Sequence, residues 1–229
     1  MTSQDAIWAY YQNQATESFA GSRARLAYLL GEIRRRRLHR VLNIGIGGGL
    51  FERMAQAQGL MVCSLDPDAA AVQRLCDQLG IDARPGSAQA MPFNDDSFDA
   101  VVASEVLEHL DAETLAQALV EIQRVLVPGG VFIGTVPYQE NLLDSTMVCP
   151  HCGKRFHRWG HAQSFSAETL RDTLSGHFAV ERVFPRLFVT FSELNWKGKM
   201  IAVIRLFLWK MGLYRGKPNL VFIARKPQP

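Results

Sequence analysis

The sequence predicts an α/β domain whose mostly parallel sheet carries helices on both faces. Three observations predict it. The apolar run Val41-Leu42-Asn43-Ile44 enters a turn with four glycines in five positions, Gly45-Ile46-Gly47-Gly48-Gly49, and a helix-forming stretch follows. An aspartate, Asp66, closes the next apolar run, about 20 residues past the turn, where an acid can meet a bound nucleoside. Apolar runs and helical patterns then keep alternating as far as Val136, and strands that alternate with helices build parallel sheets.

The 229 residues, 48% of them apolar, suffice for one full core, so a single domain over 1–229 is expected. A net charge of +3 creates no strong field for nucleic acid. The first residues lack the charged-then-apolar order of a signal peptide, and no stretch reaches the roughly 18 apolar residues of a membrane span. A cytoplasmic location is therefore expected, and there the four cysteines are not expected to form disulfides. Cys63 and Cys76 fall in a strand and a helix as buried thiols, whereas Cys149 and Cys152 have the C-x-x-C spacing of a metal or redox site.

Taken in order, residues 1–38 read as two helices, with Ile7, Tyr10 and Tyr11 and then Leu26, Leu29, Leu30 and Ile33 at helical spacing and a break near Gly21-Ser22. The aromatic group Trp8, Tyr10, Tyr11 and Phe19 is a candidate lid, with plain packing the default for such a stripe. Arg34 to Arg37 end the second helix, at the negative end of its dipole. Beyond the glycine turn, a helix is expected over 51–58 and a second strand over 60–65. Asp66 can accept from both hydroxyls of a ribose, while Asp68 suits the N-cap of a helix over 69–79. A third strand over 81–84, a polar loop and a fourth strand over 100–104 follow. The next helix starts at Asp111 or Ala112 and runs to Val127, Pro128-Gly129-Gly130 stops it, and Val131 to Val136 form the fifth strand. Ser166 caps a helix through Leu174, and strands over 178–188 and 220–224 complete the chain.

These residues resemble the class I S-adenosylmethionine-dependent methyltransferases, the group that includes ubiquinone-biosynthesis and other small-molecule methyltransferases. Val41 to Gly49 resembles the first motif of that family and Asp66 its ribose-binding acid. Gly86 to Phe93 with Asp95 to Asp99 resembles its adenine-side loop, and Leu126 to Gly130 the lead into its fifth strand. The resemblance implies a Rossmann-like, seven-stranded, mostly parallel sheet with helices on both faces; the chain leaves that simple pattern in a small insertion after strand 5 at 138–165 and in a basic apolar insertion before the last strand at 191–217. It implies that Asn43, Gly45, Ile46, Gly47, Gly49, Asp66, Pro67, Ser87, Ala88, Gln89, Ser104 and Glu105 bind S-adenosylmethionine. It also implies methyl transfer by direct displacement to a small-molecule, glycan-linked or lipid-linked acceptor, with O-methylation favoured. Asn43 and Ser87 depart from the family pattern, which often has acids there.

His109, Tyr138 and His151 are the candidates for a base that takes a proton from the acceptor. The run Glu105-Val106-Leu107-Glu108-His109 is similar to one that holds a divalent ion in some relatives; the favoured reading instead sets Ser104 and Glu105 beside the cofactor and His109 near the substrate entrance. Two other readings stand beside this one. An NAD(P)-dependent oxidoreductase shares the strand, turn and acid, but Leu50 occupies the place of that fingerprint's third glycine. The other is a non-catalytic, zinc-bearing scaffold.

A structural zinc ion, expected in the methyltransferase reading as well, is suggested by Cys149, Cys152, His157 and His161, spaced C-x2-C-x4-H-x3-H. Two thiolates and two imidazoles suit a tetrahedral zinc ion, and four protein ligands would leave it a structural role in an insertion with few apolar residues. His151 stays outside that set. Glu193 is the last acidic residue, and the basic, aliphatic run 196–214 follows it. Such a run is compatible with a membrane surface or a cover for a lipid-linked acceptor. Lys197, Lys199, Arg205 and Lys210 do not gather on one face, however, so packing over the substrate side of the sheet is favoured.

Overall fold

The computed structural model describes Ile7, Tyr10, Tyr11, residues 21–214 and residues 216–228. Trp8 and Phe19, and with them most of the first expected helix and its lid reading, lie outside the described residues.

Helix α1 (Arg23–Arg35) precedes β1 (Arg40–Ile44), α2 (Leu50–Gln56), β2 (Met61–Asp66), α3 (Ala69–Leu79), β3 (Asp82–Pro85) and β4 (Phe98–Ser104). Next come α4 (Ala112–Val125), β5 (Leu126–Pro137), the short strands β6 (Thr146–Val148) and β7 (Arg155–His157), α5 (Ala167–Ser175), β8 (Ala179–Arg186), α6 (Trp196–Lys210) and β9 (Asn219–Arg225). Seven strands form one sheet in the order β3-β2-β1-β4-β5-β9-β8. The first five strands in the sequence pair in parallel, and β9 runs antiparallel to both β5 and β8.

Side chains on a strand alternate between faces, and here both faces are covered. Leu42, Ile44, Val101, Ala103 and Phe132 join one apolar core with α4 and α5, while Val41, Ala100, Val102 and Ile133 join the other with Leu29, Leu30 and Ile33 of α1. That double burial explains the near-continuous apolar strands that made the fold readable. The helix caps follow the sequence as well. Asp68 accepts from the N–H groups of Ala70 and Ala71, and Ser166 forms a capping box with Thr169.

Two elements differ from expectation. Pro128-Gly129-Gly130 does not separate helix from strand. The helix ends at Val125, β5 already pairs at Leu126, and the Pro-Gly-Gly segment bulges out before pairing resumes at Val131. Gly129, with φ of 76°, makes that bulge, and its N–H donates to the Lys226 carbonyl at 3.1 Å. The run expected to pack over the sheet instead forms α6, whose one fully buried residue is Ala202.

Candidate functional site at the carboxyl ends of the strands

The glycine turn leaves the end of β1 with Gly45, Gly47 and Gly49 all at positive φ, of 85°, 53° and 70°. Two of them are also packed too closely for a side chain. A Cβ on Gly45 would come 2.9 Å from Val106 Cγ2, and one on Gly49 would come 2.7 Å from Leu75 Cδ1. Asp66 anchors the turn from the end of β2. Its Oδ2 accepts the Ile46 N–H at 2.9 Å and its Oδ1 accepts the Asp68 N–H at 2.9 Å, so this buried carboxylate joins the turn to the start of α3. Pro67 is exposed beside it.

Asn43 is buried, and its amide is committed to the protein itself. Its amide donates to the Gly45 carbonyl at 3.0 Å and to Glu52 Oε1 at 2.7 Å, and Ser64 donates to the same Glu52 oxygen at 2.8 Å. Asn43 therefore supports the turn from beneath. Glu52, which sequence reasoning passed over, is the centre of this buried network, and burial raises its pKa. The loop after β3 closes through a bridge between Ser87 and Ala90, with Ala88 buried, Ser87 half-buried and Gln89 exposed.

At the end of β4, Ser104 accepts from Arg25 Nε at 2.9 Å and meets the Thr135 hydroxyl at 3.1 Å. Glu105 takes a positive φ of 59°, unusual for a residue with a side chain. Its Oε2 accepts from Asn219 Nδ2 at 2.8 Å, and its Oε1 is buried without a hydrogen-bond partner. Arg25 and Asn219 are contacts that no local pattern announces, because they come from α1 and from β9.

The insertion after β5 folds back onto this edge. The Ala162 and Gln163 N–H groups donate to the Glu108 carbonyl at 2.8 and 3.1 Å, and this brings His161 against His109 with ring centroids 4.8 Å apart. His161 Nδ1 bonds to Glu140, which follows β5. A carboxylate only accepts, so Nδ1 carries the proton and Nε2 is the basic atom of His161. Burial lowers the pKa of His161 to about 4, and burial with the neighbouring His161 lowers that of His109 to about 3. His109 Nδ1 donates to the Gly160 carbonyl at 3.3 Å. Glu108 is buried with both carboxylate oxygens lacking hydrogen-bond partners, and burial, reinforced by the charge of Glu105, raises its pKa.

The four expected zinc ligands are not gathered together. Cys149 and Cys152 occupy the tip of the β6–β7 hairpin, where the Gly153 N–H donates to the Cys149 carbonyl at 2.8 Å. The register sets His157 opposite Thr146, at the far end of that hairpin. His157 and His161 group with Glu140 instead. His157 Nδ1 accepts the N–H groups of Trp159 and His161 at 3.3 and 3.0 Å, which leaves the proton on Nε2, an atom then unable to ligate. Glu108, His109 and His161 offer another set, a carboxylate and two imidazoles within 4.8 Å of one another, which suits a divalent ion. Of the three candidate bases, His109 lies in this cluster. Tyr138 is half-buried against the core at the end of β5, bridged to Phe165, and His151 is exposed at the hairpin tip between the two cysteines.

A glycine turn braced by an acid at the next strand end, with titratable groups at the two strands beyond, is the arrangement of a nucleoside-binding α/β domain. Residues 42–134 match the family model described as a methyltransferase domain. The human mitochondrial ubiquinone biosynthesis O-methyltransferase is 32% identical over 170 residues, which cover 67% of this chain and 45% of that protein. The chain thus spans about half the length of the curated relatives it matches. A chain from the complex between the Haloferax volcanii Trm112 methyltransferase activator and a putative methyltransferase superposes with a TM-score of 0.66 at 19% identity, covering 97% of this chain and 98% of the other. The N-methyltransferase NodS of Bradyrhizobium japonicum, in complex with S-adenosylhomocysteine, superposes at 0.63 and 18%, covering 99% and 97%. Residues 42–134 are thus a methyltransferase domain, similar to those of S-adenosylmethionine-dependent methyltransferases.

Proposed function

We propose that the chain transfers a methyl group from S-adenosylmethionine to an oxygen of a small-molecule, glycan-linked or lipid-linked acceptor. One arrangement carries this reading: the positive-φ glycine turn, braced by Asp66 through Ile46, shares a sheet edge with the cluster of Glu108, His109, Glu140 and His161. Oxygen is favoured as the accepting atom because similar proteins are named ubiquinone biosynthesis O-methyltransferases.

S-adenosylmethionine, when bound, supplies a methyl group already activated by its sulfonium charge. The protein's share is then alignment and proton removal. Gly45, Ile46, Gly47 and Gly49 present backbone to the cofactor, Asp66 at the end of β2 meets the ribose, and Ser87, Ala88 and Gln89 line the adenine side. Ser104 and Glu105 border the methionine part, where the unpaired Glu105 oxygen offers an acceptor for an amino group. His161, oriented by Glu140, is the candidate base: with Nδ1 committed to the carboxylate, Nε2 would accept the proton of the acceptor hydroxyl, and the cofactor would supply the activated methyl group. His109 and Tyr138 shape the acceptor side.

Calorimetry tests the first half. S-adenosylmethionine or S-adenosylhomocysteine should bind the folded protein, and Gly45→Val should abolish binding; no binding of either by the folded wild type overturns the reading. Transfer of label from methyl-labelled cofactor into a metabolite or lipid extract tests the second.

A further inference from the structure

Helix α6 is turned inside out relative to an ordinary surface helix. Ala202 is buried, and Gly198, Leu206 and Trp209, at i−4, i+4 and i+7 from it, continue the half-buried stripe toward the body. The opposite stripe, Met200, Ile204, Phe207 and Met211, is apolar and faces outward, with Trp196 and Val203 beside it. Trp196 is 70% exposed, Phe207 63% and Met211 61%. An apolar stripe of this length on an outer face marks an interaction surface.

The charges say what covers it. At helical spacing Lys199 and Lys210 run along one border of the apolar face and Arg205 along the other, with Lys197 at its amino-terminal end. No aspartate or glutamate occurs from Leu194 to Pro229. A second copy seated on this face would bring cation borders against cation borders with no carboxylate to relieve them. Lipid phosphates meet the same borders with opposite charge, and long basic side chains flanking an apolar stripe reach up to headgroups while the stripe sinks below them. Among the described residues no helix is long and apolar enough to cross a membrane, so such a helix lies on the surface.

We propose that α6 docks the protein on an anionic lipid surface, with Met200, Ile204, Phe207 and Met211 entering the headgroup–acyl boundary and Lys199, Arg205 and Lys210 pairing with lipid phosphates. The helix joins the end of β8 to the start of β9, where Arg186 and Asn219 are register partners and Asn219 also holds Glu105. Docking therefore brings the candidate site's edge toward the bilayer. An acceptor drawn from that bilayer is a consequence that rests on the methyltransferase reading; the docking itself does not.

Sedimentation of the full chain with vesicles tests this without any activity assay. The wild type should pellet with phosphatidylglycerol-containing vesicles, stay largely in solution with pure phosphatidylcholine, and be released as ionic strength rises. Ile204→Glu with Phe207→Glu should weaken binding by about tenfold or more, and Lys199→Glu with Lys210→Glu should remove the preference for anionic vesicles. All four positions are exposed, so the thermal unfolding of these variants should match the wild type. Failure to pellet with anionic vesicles overturns the proposal, as does binding that neither pair of substitutions reduces. A concentration-dependent dimer that Ile204→Glu with Phe207→Glu dissolves, with no vesicle binding by the wild type, would overturn it by assigning the face to a second copy instead.

Discussion

The backbone N–H of Ile46 donates to Asp66 Oδ2 at 2.9 Å, so one buried carboxylate holds the glycine turn against the end of β2. The neighbouring Asp68 does a different job two residues away, capping α3. The two aspartates should separate in experiment. Asp66→Ala leaves the Ile46 N–H without its acceptor, at a cost of about 1–3 kcal/mol in stability, and should also abolish calorimetric cofactor binding. Asp68→Ala should cost about 1 kcal/mol with affinity nearly intact. Equal losses of affinity in both would contradict this division.

The bond from His161 to Glu140 makes a second prediction. With a labelled acceptor in hand, His161→Ala should lower kcat by about 100-fold or more while leaving cofactor affinity unchanged, and Glu140→Gln should lower it less. If a divalent ion at Glu108, His109 and His161 were responsible, chelators would reproduce the loss and added metal would restore it.

Stability should fall in acid through the same histidines. Burial lowers the pKa of His161 to about 4, and burial together with His161 lowers that of His109 to about 3. An unfolded histidine titrates at about 6.5. Between these values the unfolded chain binds protons that the native state refuses, so stability rises with pH there. It should be fully present above about pH 6.5 and lost as pH falls toward 4 and then 3. Urea midpoints across that range measure the effect, and His161→Asn should flatten the acid limb.

The hairpin supplies a test of metal binding. Cys149 and Cys152 sit at its tip, and hydrogen bonds from the backbone N–H groups of Cys152 and His151 lower the Cys149 thiol pKa. His157 lies at the other end of the hairpin. Any metal held by the tip thiols should therefore survive His157→Ala with His161→Ala and disappear in Cys149→Ser with Cys152→Ser, as measured by metal analysis of the purified proteins. Loss of the metal in both variants would mean one shared tetrahedral site and a rearranged insertion.

How much of this can be read from the chain varies with the range of the interaction. Apolar strands, the glycine turn, the acid at the end of β2 and the caps at Asp68 and Ser166 are each local patterns, set by dihedral preferences and side-chain periodicity over a few residues. Pro128-Gly129-Gly130 reads as a helix stop because a bulge inside a strand uses the same residues. Asn43 reads as a cofactor ligand because sequence position says which strand end a residue is near, not which way its amide points.

By itself, then, the sequence determined the α/β alternation, the glycine turn and the domain's class, because these depend on neighbours along the chain. Only the tertiary structure decided which titratable groups meet. Glu108, Glu140 and His161 come from three separate segments, joined because β4 and β5 are adjacent and the insertion hydrogen-bonds back to the Glu108 carbonyl. It decided the character of α6 for the same reason. A helical wheel displays an apolar stripe and its basic borders, but which stripe faces solvent depends on where the rest of the chain packs, and here Ala202 turns inward and Phe207 outward.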